Sequence, residues 1–212
     1  MKKLAIIIAV ILSLAQAALA KTEKFGTWIE LSFSKEFLKR FEFSVIPEFR
    51  LQDDFTVDEY IFEGRLQYKP LKYLSLATSY RYGINVKKSG NESAQHVVFD
   101  VTGKTGVQRF DGSLRLRFTN DAETELIQWE NFYLRPKAKI GYNIKAWKTD
   151  PYISYEFYYD FENNQIFKGR FDFGISRKIG KYHEIEVYYR LQDFYYNRNS
   201  INILGLNYAF KF

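Results

Sequence analysis

The chain has no cysteine, a single methionine, four prolines and two histidines in 212 residues. Without cysteine, neither a disulfide framework nor a thiolate metal site can form. Beyond residue 20 no stretch is long and apolar enough to cross a bilayer as a helix. No block of like charge is present either. The formal net charge of +6 is spread along the chain, which lacks the clustered basic footprint of a nucleic-acid binder. With only His96 and His183 available, histidine-based chemistry has few places to occur.

The one long apolar run lies at the start. Met1-Lys2-Lys3 is basic, Leu4 to Leu14 is almost wholly apolar, and Ala18-Leu19-Ala20 is a small-x-small site. This is the pattern of a secretory signal peptide cleaved after Ala20, and the run is too short to anchor as a spanning helix. No cysteine follows it to carry a lipid anchor. Residues 21–212 are then expected to form one domain.

What the chain has in abundance is aromatic residues, 19% of the total, with 17 Tyr and 20 Phe. They recur with a period of two. In the last nine residues Leu204, Leu206, Tyr208, Phe210 and Phe212 fall on one side of a strand, and Gly205, Asn207, Ala209 and Lys211 on the other. Similar runs begin at Phe25, Phe41, Tyr60, Leu74, Val97, Phe110, Phe132, Ile153, Phe167 and Ile185. Within these runs the apolar side carries no charge, while the other side carries charge in nearly every run. A charge facing lipid at mid-bilayer costs about 2–4 kcal/mol, which enforces such segregation. The runs are about ten residues long, as tilted membrane-spanning strands must be. A soluble β-sandwich would have shorter strands and more Val, Ile and Leu on its inner face. The expected fold is therefore all-β, an antiparallel up-and-down transmembrane β-barrel of ten to twelve strands.

The connections alternate in length. Val86–Ala94, Asn120–Leu126, Glu162–Gln165 and Asp193–Ser200 read as polar loops. Ser34–Arg40, Pro70–Lys72, Gly106, Lys145–Asp150 and Gly180–Lys181 read as turns. Pro47 and Phe167 both fall on the apolar side, and Pro47 predicts a bulge or local distortion. Eleven runs conflict with the even number that places both chain ends in the periplasm. Ten spanning strands are favoured, with Phe25–Phe33 left over, and twelve is the next choice.

The N-terminal signal, the Trp28 segment, the strand arginines Arg50, Arg65, Arg115, Arg117 and Arg135, and the terminal Phe212 together resemble a family of Gram-negative outer-membrane barrels catalogued as a domain of unknown function. The resemblance covers nearly all of residues 21–212 and rests on pattern rather than on a motif. It implies an outer-membrane location, with outer-membrane lipids, lipopolysaccharide and the barrel-assembly machinery as partners. It implies no activity. The C-terminal Tyr208, Phe210 and Phe212 resemble the assembly signal of such barrels.

Inner-face charges are the main candidate site. Arg50, Glu63, Arg65, Arg81, Arg115, Arg117, Arg135, Lys137, Glu156, Arg170, Asp172, Glu186 and Arg190 are expected to line the lumen. Their opposite charges should pair and fill a narrow interior. A narrow, slightly anion-preferring pore is the alternative. A lipid-modifying hydrolase is a second alternative. It would need a nucleophile and a base, for which His96, Asp100 and Ser93 are the raw material. A luminal hydrogen bond is the simpler role for His96. The acidic stretch Asp53, Asp54, Asp58 and Glu59 could hold a hard cation, but it lacks a Gly-punctuated calcium loop and reads as solvated. No metal, cofactor or nucleic acid is expected. Tyr195-Tyr196-Asn197-Arg198 is the best candidate for a binding patch on the loops.

Overall fold

The computed structural model describes residues 24–121, 131–145, 148–196 and 199–212. The expected signal peptide and its cleavage site lie outside the described residues, as do most of the Asn120–Leu126 loop, Trp147, Asn197 and Arg198. Eleven strands follow one another: β1 (Lys24–Phe37), β2 (Phe41–Leu51), β3 (Val57–Leu71), β4 (Leu74–Asn85), β5 (Glu92–Val107), β6 (Phe110–Thr119), β7 (Tyr133–Tyr142), β8 (Thr149–Asp160), β9 (Gln165–Ile179), β10 (His183–Phe194) and β11 (Ser200–Lys211). They form one closed barrel in which each strand pairs with its neighbours in sequence, and β1 pairs with β11.

The count lies within the expected range of ten to twelve and overturns the even number favoured inside it. The segment at Phe25–Phe33 is a full strand of 14 residues. Ten ladders are antiparallel, and the eleventh, β1 to β11, is parallel, running from Lys24 opposite Ile201 to Ser34 opposite Lys211. The even-number rule assumes antiparallel closure, and one parallel ladder removes that requirement. Lys24 and Phe212 consequently lie at opposite ends of the barrel. Phe212 shares its end with the short turns, where its backbone N–H donates to the Ser34 carbonyl at 3.0 Å. Lys24 lies at the end that carries the longer loops.

Alternation accounts for which way each side chain points. Phe33, Phe43, Phe62, Leu76, Phe99 and Leu116 are exposed on the outside, while Ser34, Ser44, Glu48, Arg81, Asp100 and Arg117 between them are buried inside. Among the described residues, charges at outward positions occur only near the strand ends: Lys35 and Arg177 by the turns, Asp58 and Asp193 by the loops.

Several local expectations change. Pro47 causes no register shift: the β2–β3 ladder runs unbroken past it, and its one irregularity is at Arg50/Leu51. On the β1 side the ladder omits the positions opposite Ile46 and Pro47 and resumes in the same register, the local loss that a missing N–H requires. Gly106 lies within β5. The turn is Gln108-Arg109, a two-residue hairpin that puts Gln108 at φ 58°, as primed turns demand. The 86–94 loop is shorter than expected, because β5 already begins at Glu92. Phe167, expected to face outward, is the extra residue of a β8–β9 bulge between Tyr158 and Tyr159. The bulge turns it inward against Tyr133 and Tyr158.

One ring of the barrel shows how the seam is packed. Gly141, Tyr152, Gly174, Tyr188, Gly205 and Trp28 are successive cross-strand partners from β7 round to β1. Aromatic and glycine alternate, so each ring lies over a strand that presents no side chain. A Cβ at Gly174 would meet Tyr188 at 2.7 Å and Tyr152 at 2.8 Å, and one at Gly205 would fall within the Tyr188 ring. Gly205→Ala is expected to lower stability by about 1–3 kcal/mol through overpacking. In a Tyr188→Ala background the same change should cost little, a coupling that a double-mutant cycle in urea would detect.

Candidate functional site

The barrel encloses a cavity of about 260 Å³. All thirteen charged side chains expected on the inner face line it, together with Trp28, Glu30, Glu48, Lys139, Tyr152, Tyr188 and Asn207. The charges are sorted by strand. On β6 and β7, Arg115 stands directly across from Lys137 and Arg117 from Arg135. On β1 and β2, Glu30 stands across from Glu48. Like charges in such positions repel, so each group depends on opposite charges from other strands.

A few carboxylates supply these. Glu156 accepts from Arg115 at 2.5 Å and from Arg135 at 3.2 Å, with Arg170 at 4.0 Å. Asp172 accepts two bonds from Arg190, at 2.6 and 3.1 Å, and one from Lys137 at 2.8 Å. Asp100 is gripped by both Nε and Nη2 of Arg117, at 2.8 and 2.9 Å, and by Arg65 at 2.9 Å. Glu48 joins Arg50 at 2.7 Å to Arg81 at 3.0 Å. Arg81 also reaches Asp121 at 2.6 Å and Glu63 at 3.2 Å. Glu186 accepts from Lys139 and Asn207.

The aromatics complete the lining. Trp28 lies under the guanidinium of Arg50 at 3.9 Å, with Arg190 at 5.0 Å and Arg170 at 5.1 Å from its ring. These cations come from β2, β10 and β9, so the indole ties both sides of the parallel seam to the ion-pair network. Tyr158, fully buried, receives Arg135 and Lys168 at 4.1 and 4.0 Å. Cation–π contacts gain strength when desolvated. Reading the inner face for charge alone overlooks Trp28, Tyr152 and Tyr188. Their signal is a large aromatic placed among the polar residues of an alternating run.

His96 lies on the inner side of β5 opposite Arg81. Asp100 shares that side, but both its oxygens are taken by Arg117 and Arg65. Ser93, an odd number of residues from His96 on the same strand, is exposed on the opposite side. The three do not converge. At the loop end, Asp54 accepts from the Thr56 hydroxyl and N–H at 2.5 and 2.9 Å, and these bonds hold its carboxyl below the usual range. The described residues contain no group of three acidic or histidine side chains arranged to hold a metal. The Tyr195 hydroxyl lies 2.7 Å from that of Tyr155 and covers Gly169 on the outer wall. Burial and the Tyr155 bond push its phenol up. Tyr196 beside it is exposed and packs edge-on against Phe194. Tyr208, Phe210 and Phe212 run down the outer side of β11, where Tyr208 bonds His183 at 2.7 Å and Phe210 packs on Phe212.

Removing one partner of a buried ion pair leaves an uncompensated charge and costs about 3–5 kcal/mol. Glu156→Gln should therefore lower the unfolding free energy by about that amount in urea titrations of the folded barrel. Adding Arg115→Gln to it should recover part of the loss, since one of the stranded cations is then gone.

None of the curated proteins compared with the chain matches it. Residues 25–202, from the second residue of β1 to the third of β11, match the family described as Protein of unknown function (DUF2490), and the chain belongs to that family.

Proposed function

We propose that this protein is an integral outer-membrane β-barrel of a Gram-negative envelope, exported by its N-terminal signal peptide. It is non-enzymatic, and its lumen is closed to solutes by arginine and lysine paired with aspartate and glutamate. The observation that carries this reading is the division between the two sides of one closed sheet. Its outside is apolar through the middle of the strands, and its inside holds ion pairs and stacked cations. Closure satisfies every ladder, which a lipid setting demands. Outer-membrane lipids, lipopolysaccharide and the barrel-assembly machinery are its partners in this reading.

A barrel of eight strands is filled by its own side chains, and one of sixteen or more leaves a channel. Eleven strands fall between, so the side chains decide. Long arginines bridged by carboxylates narrow the section here to a cavity of about 260 Å³. The second reading, a narrow anion-preferring pore, draws on one observation: ten basic and six acidic side chains line the cavity. Planar bilayers separate the two. The closed barrel gives no reproducible single-channel steps. Steps whose reversal potential follows the anion gradient would favour the pore.

The terminal phenylalanine serves as part of an assembly signal. Its deletion is expected to reduce the amount of heat-modifiable barrel in the outer membrane. Accumulation at the wild-type level would remove that role.

A further inference from the structure

The short turns form a basic collar. They carry Lys39, Arg40, Lys72, Arg109 and Lys181, besides two lysines between β7 and β8, and no acidic residue. This end holds a cleft of about 580 Å³, bounded by Asn143, Lys145, Lys148 and the end of β9. It is lined by Lys145, Lys148, Arg177 and Lys178, with Asp150 as the one carboxylate. Asp150 accepts from the Asn143 amide at 2.8 Å. Among the described residues none of the four cations makes an ion pair with it or with any other carboxylate. The geometry of the fold opens the cleft. The β8–β9 ladder starts at Thr149 opposite Arg177, so Lys178 and Ile179 extend beyond β8 and pair only with β10.

Two further observations indicate what occupies it. Arg177 points outward, on the same side as Ile175 and Ile179. Ile140 and Ile153 on the adjoining strands are exposed on that side as well. An unpaired basic cleft thus lies at the edge of an apolar wall, which is the arrangement that fits a molecule with an anionic head and apolar tails. A soluble anion would gain nothing from the wall.

From this placement we infer that the cleft is a binding site for the phosphate headgroup of an anionic phospholipid, whose acyl chains lie along Ile140, Ile153 and Ile175. The inference rests on the membrane reading above. The phosphate sits in the cleft that these cations line, and Arg177, on its outer side, supplies the two-pronged donor that a phosphate prefers. Each basic residue near an anionic surface contributes about a fivefold preference, so four together make the site selective over a zwitterionic headgroup. The attraction weakens as salt is raised.

The test uses the full mature chain folded into phosphatidylcholine vesicles holding a minor fraction of spin-labelled phosphatidylglycerol or spin-labelled phosphatidylcholine. The fraction of each label immobilised by the barrel is read by electron spin resonance. The wild type should immobilise phosphatidylglycerol at least about fivefold better at low salt, and less so at high salt. A variant with Lys145→Gln, Lys148→Gln, Arg177→Gln and Lys178→Gln should lose the preference while remaining heat-modifiable. Lys87→Gln with Lys88→Gln, at the loop end, should keep it. An inserted wild type without preference, or a fourfold variant that retains it, overturns the site. Equal loss in the loop-end variant also overturns it, by showing a response to net charge alone. A chain that never inserts into vesicles overturns the membrane reading, and this site with it.

Discussion

The parallel ladder between β1 and β11 is the pairing on which the rest of the barrel depends. Without it the sheet has two open edges, and the inner face has no enclosure in which to bury its charges. Parallel pairs are slightly weaker per residue than antiparallel ones, and this ladder joins the two ends of the chain, with no hairpin to hold it in register. Its eleven paired positions are reinforced from inside. Tyr188 covers Gly205 on one side of the seam. Trp28, directly across from Gly205, gathers cations from β2, β9 and β10. The seam is thus held by side chains that belong to the interior network.

That network explains why like charges can face each other on adjacent strands. Arg115, Arg117, Arg135 and Lys137 form a basic wall whose repulsion is met by Glu156, Asp172 and Asp100. Burying so many ions carries a desolvation cost that ideal geometry only just recovers. The arrangement is economical only where the alternative is a charge in lipid, which is the setting proposed for this barrel. Because each carboxylate serves two or three cations, the pairs act as one unit. The strands are thereby coupled across the lumen as well as along their ladders.

Much of this was legible in the sequence, because alternation with a period of two specifies sides without reference to the fold. It places Arg50, Arg135, Glu156 and Asp172 inward and Leu204, Leu206, Tyr208, Phe210 and Phe212 outward. It could not specify closure. The even-number rule holds for antiparallel barrels, and no local feature of β1 says that its far partner runs parallel. Phe167 faces inward against its alternation because a single bulged residue reverses the side, and such a bulge has no separate sequence signature. At Pro47 the distortion stays local, with pairing lost opposite Ile46 and Pro47 on the β1 flank alone. Trp28 and Tyr188 carry no charge and so do not stand out on an inner face marked by its ions. Their partners Gly205 and Gly174 are small only because rings lie on them. The two extra cavity acids, Glu30 and Glu48, follow from the same alternation. Which of the pairs meet across the lumen is long-range geometry that no spacing encodes.

The odd strand number singles out one strand. β2–β3, β4–β5, β6–β7, β8–β9 and β10–β11 form five hairpins joined at the loop end, which leaves β1 without a loop-end hairpin partner. In the proposed membrane orientation β1 must cross the bilayer with no hairpin partner on that side. A lone strand cannot satisfy its backbone in lipid, so β1 can be stable across the membrane only once β2 and β11 flank it. Its composition suits that dependence. Its outward positions, Ile29, Leu31 and Phe33, are apolar, whereas Trp28 and Glu30 on its inner side find their surroundings only in the assembled cavity. The strand that completes the wall is therefore also the one whose inner residues require the completed lumen, and closure of the sheet and formation of the interior network become a single step.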